Sequence, residues 1–201
     1  ASGGTTYSWS SGETTSSITV NPVITTTYTV TVSDGTCTGT KSITITVNPK
    51  PIVSIVPNPA SICLGGNINL TASGGTSYSW STGQTINPIN VAPTVTTTYI
   101  VTATDANACS DTASRIVTVY PIPVAVITPT SATICSGQSQ LLTASGGLTY
   151  IWNTGATTDT TTVSPSTTTT YIVTVTAAGN CTDTETLTVT VNPVATISGT
   201  L

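Results

Sequence analysis

The sequence predicts an all-β chain: tandem β-sandwich repeats of about 72 residues, set end to end in an extended rod. Three observations predict it. First, the chain repeats itself. Trp9, Trp80 and Trp152 are spaced by 71 and 72 residues, and Tyr28, Tyr99 and Tyr171 keep the same intervals. Cys37, Cys109 and Cys181 are 72 apart, as are Cys63 and Cys135. Second, apolar residues alternate with period two, and no segment has the 3,4-spacing of an amphipathic helix. Third, Gly, Asn, Ser and Pro clusters interrupt these runs at intervals of about ten residues, as they do between short sandwich strands.

The elements follow in order within one repeat. Ile52-Val-Ser-Ile-Val alternates weakly and Ile68-Asn-Leu-Thr-Ala clearly. Ser77-Tyr-Ser-Trp-Ser places Tyr78 and Trp80 on one face. Tyr99-Ile-Val-Thr-Ala sends Tyr99, Val101 and Ala103 one way and Ile100 and Thr102 the other. Val117-Thr-Val closes the repeat, and in the first copy Ile43, Ile45 and Val47 alternate with Thr44 and Thr46. The expected domains are 1–49, a partial repeat without its opening strands, then 50–121 and 122–193, with 194–201 as the first strand of a further repeat. This phasing predicts a piece of a longer array. The joints Asn48-Pro-Lys-Pro51, Tyr120-Pro-Ile-Pro123 and Asn192-Pro193 are short, and proline stiffens them.

Composition excludes several function classes. Charged residues are 5% of the chain, the net charge is −4, and Lys41, Lys50 and Arg115 are the only basic side chains. That is no footprint for a nucleic acid. With no histidine, imidazole acid/base chemistry and imidazole zinc sites are ruled out. No run of 18 apolar residues suggests membrane insertion, and Ala1-Ser-Gly-Gly-Thr lacks the pattern of a signal peptide. Threonine fills the polar positions, where its branched Cβ favours extended backbone and its hydroxyl keeps a face wet without charge. Edge strands with few charged residues predict lateral self-association.

The string Ile62-Cys-Leu-Gly, Leu70-Thr-Ala-Ser-Gly-Gly, Tyr78-Ser-Trp-Ser-Thr-Gly, Thr96-Thr-Thr-Tyr-Ile-Val, Cys109-Ser-Asp-Thr and Val117-Thr-Val resembles the Ig-like and PKD-like tandem repeats of large bacterial cell-surface adhesins. Such repeats are frequent in gliding adhesins and other type IX secretion cargo. The resemblance runs over the whole chain. It departs at Ser81-Thr-Gly and Asn153-Thr-Gly, which stand where many PKD domains have an Asp-rich turn. It implies an Ig-like sandwich with Trp9, Trp80 and Trp152 as the buried strand-C tryptophan. Tyr28, Tyr99 and Tyr171 become the corner tyrosine entering strand F. Their apolar neighbours on the same face also favour core over a sugar-stacking platform.

Five cysteines admit two regular pairings. Pairing within repeats gives Cys63–Cys109 and Cys135–Cys181 and leaves Cys37; pairing between repeats gives Cys37–Cys63 and Cys109–Cys135 and leaves Cys181. The pairing within repeats is preferred, because closing a loop of about 46 residues contributes roughly 4 kcal/mol to a small domain. Disulfides imply an oxidising, extracellular setting. No Cys-x-x-Cys pair exists, and no metal or cofactor is expected. The seven carboxylates never recur as a pair in all three copies, so no catalytic residue is expected; Asp34-Gly35 reads as a hairpin turn. Asp111-Thr-Ala and Asp159-Thr-Thr are similar to the O-glycosylation acceptor of such secreted proteins, which makes Thr112 and Thr160 candidate sites.

The expected function is structural: a repeat segment of an extracellular, cell-surface filament or adhesin stalk, with neighbouring repeats as partners. The runner-up is a glycan- or surface-binding Ig-like module that contacts surface polysaccharide. The turns Ser11-Gly-Glu-Thr, Thr82-Gly-Gln-Thr and Thr154-Gly-Ala-Thr keep Gly and Thr and vary the third residue, the mark of a turn requirement rather than a shared ligand. Enzymatic activity is not expected.

Overall fold

The computed structural model describes residues 1–194, so the strand expected over 194–201 lies outside the described residues except for Val194. The chain is all-β. Residues 1–49 form β1 (Thr6–Trp9), β2 (Thr26–Ser33) and β3 (Thr38–Ile45). The next repeat forms β4 (Ser54–Val56), β5 (Ala60–Cys63), β6 (Ile68–Ser73), β7 (Ser77–Trp80), β8 (Ile89–Val91), β9 (Thr97–Thr104) and β10 (Ser110–Tyr120). The same seven return as β11 (Val126–Thr128), β12 (Ala132–Cys135), β13 (Gln140–Ser145), β14 (Thr149–Trp152), β15 (Thr160–Val163), β16 (Thr169–Thr176) and β17 (Thr182–Asn192). Among the described residues a single 3-10 turn, Ala178–Asn180, precedes β17.

Each full repeat has a three-stranded sheet, β4-β6-β8 or β11-β13-β15, and a four-stranded one, β5-β10-β9-β7 or β12-β17-β16-β14. This is the Ig-like arrangement of tandem domains. The opening segment serves both sheets. β11 lies antiparallel to β13, and after a short crossing β12 runs parallel to β17, with Ala132 opposite Val189 and Cys135 opposite Asn192. β5 does the same beside β10, with Cys63 opposite Tyr120. The first repeat has one sheet, β1-β2-β3, with β1 and β3 both antiparallel to β2.

Chain contacts divide the molecule into two compact units: residues 1–53 with 73–78 and 102–112, and residues 54–72 and 79–101 with the described residues from 113 onward. In the second unit the core of the third repeat is complete. Ala125, Ile127, Leu142, Ala144 and Val163 join Trp152, Tyr171, Val173, Val175, Leu187 and Val189 in one cluster. Trp152 is 1% exposed and donates its indole N–H to Thr158 O at 3.0 Å, so burial leaves no orphan donor. Trp80 is equally buried, but its indole nitrogen has no partner. Here the loop differs: the Asn87 side chain accepts from Ala72 N–H at 2.8 Å and donates to Ala72 O at 2.9 Å. In the third repeat the backbone carbonyl of Asp159 accepts from Ala144 N–H instead.

Threonine does more than coat the faces. Thr25, Thr96 and Thr168 each accept at Oγ1, at 3.1 Å, from the N–H of Val47, Val119 and Val191. The repeated hydroxyl thereby satisfies a backbone donor near the end of the last strand. Thr27–Thr44 and Thr170–Thr188 pair hydroxyl to hydroxyl across strands at 2.8 and 2.9 Å, the sheet counterpart of helix side-chain pairs.

Candidate functional site

The feature that sets this array apart from a string of independent beads is the joint inside the second unit, between the second and third repeats. Cys63 and Cys181 form a disulfide there, with Cα atoms 5.6 Å apart and a sequence separation of 118. Cys63 ends β5, and Cys181 directly follows the 3-10 turn, where Ala177 N–H donates to Cys181 O at 2.8 Å and Asn180 adopts φ 60. Cys181 is 1% exposed.

This corrects both expected pairings. Cys37, Cys109 and Cys135 are free thiols, and Cys63–Cys109 and Cys135–Cys181 do not form. Strand direction is the reason. Cys135 stands opposite Asn192 at the end of β17, whereas Cys181 immediately precedes its start at Thr182. Along an eleven-residue strand those positions are separated by roughly 33 Å, far beyond the ~7 Å that a disulfide allows between Cα atoms. The pairing between repeats fails as well, since Cys37, Cys109 and Cys135 each remain unbonded. The two cysteines of a repeat occupy opposite ends of it, so the end of one repeat meets the beginning of the next.

Three further contacts fix the joint. Leu64 N–H donates to Tyr120 O at 2.8 Å, seating the strand end beside the linker. The Tyr120 ring covers Gly179 so closely that any Cβ there would overlap it. Ala125 N–H, just past the linker, donates to the Asp183 carboxylate at 2.9 Å. Sequence reasoning missed Tyr120, Gly179 and Asp183. Their signal was the direction of β5: a parallel partner for the last strand puts its terminal cysteine at the linker.

The other expected site residues fall as follows. Trp80, Trp152, Tyr99 and Tyr171 are buried; Trp9 and Tyr28 are half-buried. Burial pushes the Tyr99 phenol above its ordinary value. The tyrosines that clamp a turn are Tyr7, Tyr78 and Tyr150, which donate to the carbonyls of Gly4, Gly75 and Gly147 at 2.8–3.0 Å. Thr112 on β10 and Thr160 on β15 are both exposed. Asp34 accepts at one oxygen from Thr36 and Cys37 N–H, both at 2.8 Å. Those bonds, Cys37 first, hold its carboxyl below the usual range. The Asp105 carboxylate is similarly occupied by Asn107 and Cys109 N–H at 2.8 and 2.9 Å. Among the described residues no group of three or more His, Cys, Asp or Glu converges on a metal position.

No family model and no curated protein matches the chain. Among solved structures it is similar to three N-terminal domains of the highly immunogenic outer capsid protein of bacteriophage RB49, at 15% identity and TM-score 0.47 over 93% of this chain and 88% of that one. It is also similar to extracellular domains 3–5 of Drosophila OTK, at 10% identity and TM-score 0.45 over 84% and 71%. The I67–I69 fragment of titin aligns at 13% identity and TM-score 0.38 over 84% and 75%. The disulfide fits an extracellular or secreted protein, and among the described residues no helix is long and apolar enough to cross a membrane.

Proposed function

We propose that the chain is a structural, non-catalytic segment of an extracellular cell-surface filament or adhesin stalk, whose work is to hold length under tension. The observation that carries this reading is the disulfide between consecutive repeats. A bond within one domain protects that domain; a bond between two domains makes the joint part of both folds. In the chain-entropy account, closing a loop of this length contributes about 5 kcal/mol against unfolding. Tension applied at the chain ends also cannot extend the residues between Cys63 and Cys181 while the bond is intact. Proline-bearing joints support the same role.

Single-molecule pulling tests the mechanical part. Reduction should add about 400 Å of extension, the length of the 118-residue span at ~3.4 Å per residue. Identical traces with and without reductant would overturn it. Electron microscopy of the native material tests the assembly: threads with beads at a constant rise support the stalk, and isolated compact particles exclude it. The intact mass of the same material shows whether Thr112 and Thr160 carry glycans.

A further inference from the structure

We propose that copies of this chain associate side by side through a charge pair between unlike repeats, the notch at Arg115 of one copy receiving Glu185 of another. The proposal goes beyond the stalk reading and does not depend on it: a chain that bore no load would self-associate by the same contact.

Both full repeats carry the same notch. β5 lies beside β10 only from Val117 onward, and β12 beside β17 only from Val189 onward. Ahead of those points the opening segment is crossing from one sheet to the other, so the side of the last strand is left open. The notch measures about 400 Å³ in the second repeat, where Asn58, Arg115 and Ile116 line it. In the third it measures about 260 Å³, lined by Val126 and Glu185 among others. Opening segment and last strand are both present in each of these repeats, so the notch belongs to the fold of the repeat itself.

The two notches differ in charge. Counted from the cysteines, Arg115 stands where the third repeat has Leu187, and Glu185 stands where the second has Ala113. Leu187 is 6% exposed and belongs to the core cluster. Arg115 is half-buried at the matching position, and its guanidinium donates from Nε and Nη2 to Ile55 O at 3.2 and 2.7 Å. That carbonyl occupies one side of the planar fork. Among the described residues the other N–H groups have no acceptor, and no carboxylate pairs with the charge.

In a chain with 5% charged residues, a half-buried guanidinium without a counterion is costly. The group this fork fits is a carboxylate brought from outside, which accepts two parallel N–H bonds. Glu185 is such a carboxylate: it is exposed, and among the described residues no cation lies beside it. Each notch adds an exposed aliphatic, Ile116 at 56% and Val126 at 40%, whose apolar surface the contact would remove from water. Opposite signs steer unlike notches together and oppose the meeting of like ones. After one contact forms, one copy still offers Glu185 and the other Arg115, so the association can continue.

Sedimentation of the intact chain tests this, with the free thiols at Cys37, Cys109 and Cys135 alkylated so that no disulfide links copies. Self-association should be present at low ionic strength and weaken about tenfold or more at about 1 M salt. Arg115→Leu, which installs the third repeat's residue, and Glu185→Arg, at an exposed position, should each weaken it to a similar degree. Arg115→Glu and Glu185→Arg should each be monomeric alone and associate when mixed, since each then supplies the charge the other lacks. Arg115→Lys treated with a carbodiimide should yield an amide between position 115 of one copy and position 185 of another. Mass spectrometry of a mixture of isotope-labelled and unlabelled chains reads that link. A chain monomeric at low salt, folded charge-reversed variants that stay monomeric when mixed, or crosslinks confined to single chains would each overturn the proposal. So would binding of a polyuronate that Arg115→Leu abolishes in a monomeric chain, which would assign the notch to an acidic polysaccharide.

Discussion

The first and third repeats place the same residue types at the same positions and bury them differently. Trp152, Tyr171 and Val175 are buried in the third repeat, whereas their equivalents Trp9, Tyr28 and Val32 are half-buried in the first. Leu187 is 6% exposed and its equivalent Ile43 is 57% exposed. The local chemistry is unchanged: Trp9 donates to Thr15 O at 2.9 Å as Trp152 does to Thr158 O, and the Tyr7 and Tyr150 clamps both close at 3.0 Å. What differs is the second layer. A three-stranded sheet can form its ladder, turns and side-chain bonds alone, but its apolar face needs another sheet to leave water. Backbone order and core burial are thus separable in this molecule.

That separation can be attacked directly, and the largest effect should come from the tryptophans. Trp152→Ala removes a fully enclosed ring and should cost about 3–5 kcal/mol, whereas Trp9→Ala should cost less than half as much. Denaturant unfolding with hydrogen exchange resolved by repeat would read both, and equal losses would mean that the first repeat is as well packed as the third. The glycines should separate less. Gly3→Ala meets only the left-handed backbone penalty of about 1–2 kcal/mol, while Gly146→Ala adds a clash with the Val124 carbonyl. The larger shift in melting temperature should belong to Gly146→Ala, and the reverse order would place a chain segment over Gly3.

The smallest effect is one of pH. Asp34 is held below its ordinary value of 3.8 by Cys37 and Thr36 N–H, and the corresponding turn residue of the third repeat is Ala177. A carboxylate with a depressed folded value contributes stability above its unfolded value and loses it as pH falls through the folded one. The Asp34 turn should therefore loosen below pH 3.8 while the Ala177 turn does not. Amide exchange at Thr36 and Cys37 across that range is the measurement, and an unchanged rate would remove the carboxylate from the account.

Much of the fold was legible in the residues. The repeat, the period-two alternation and the turn clusters located the strands, because all three depend on neighbours a few positions apart. Trp80 and Trp152 were legible as core for the same reason. The half-buried state of Trp9 was not, since burial depends on a sheet that its own strand cannot specify. Asn87 marks another limit: one side-chain amide takes the place of a backbone pairing, and in the same repeat the Trp80 indole is unpartnered, although the repeat pattern around both is intact.

The sequence alone determined that the chain is an all-β array of threonine-faced repeats with cysteines at fixed phases, since side-chain alternation and turn chemistry are local properties. Only the tertiary structure decided which cysteines meet. Spacing along the chain favoured Cys63 with Cys109 and Cys135 with Cys181; the parallel seating of β5 and β12 put those partners at opposite ends of a repeat and brought Cys63 to Cys181. Loop length sets how much a crosslink can contribute, but the direction of the strands sets whether two sulfurs can touch, and direction belongs to the sheet rather than to any strand within it.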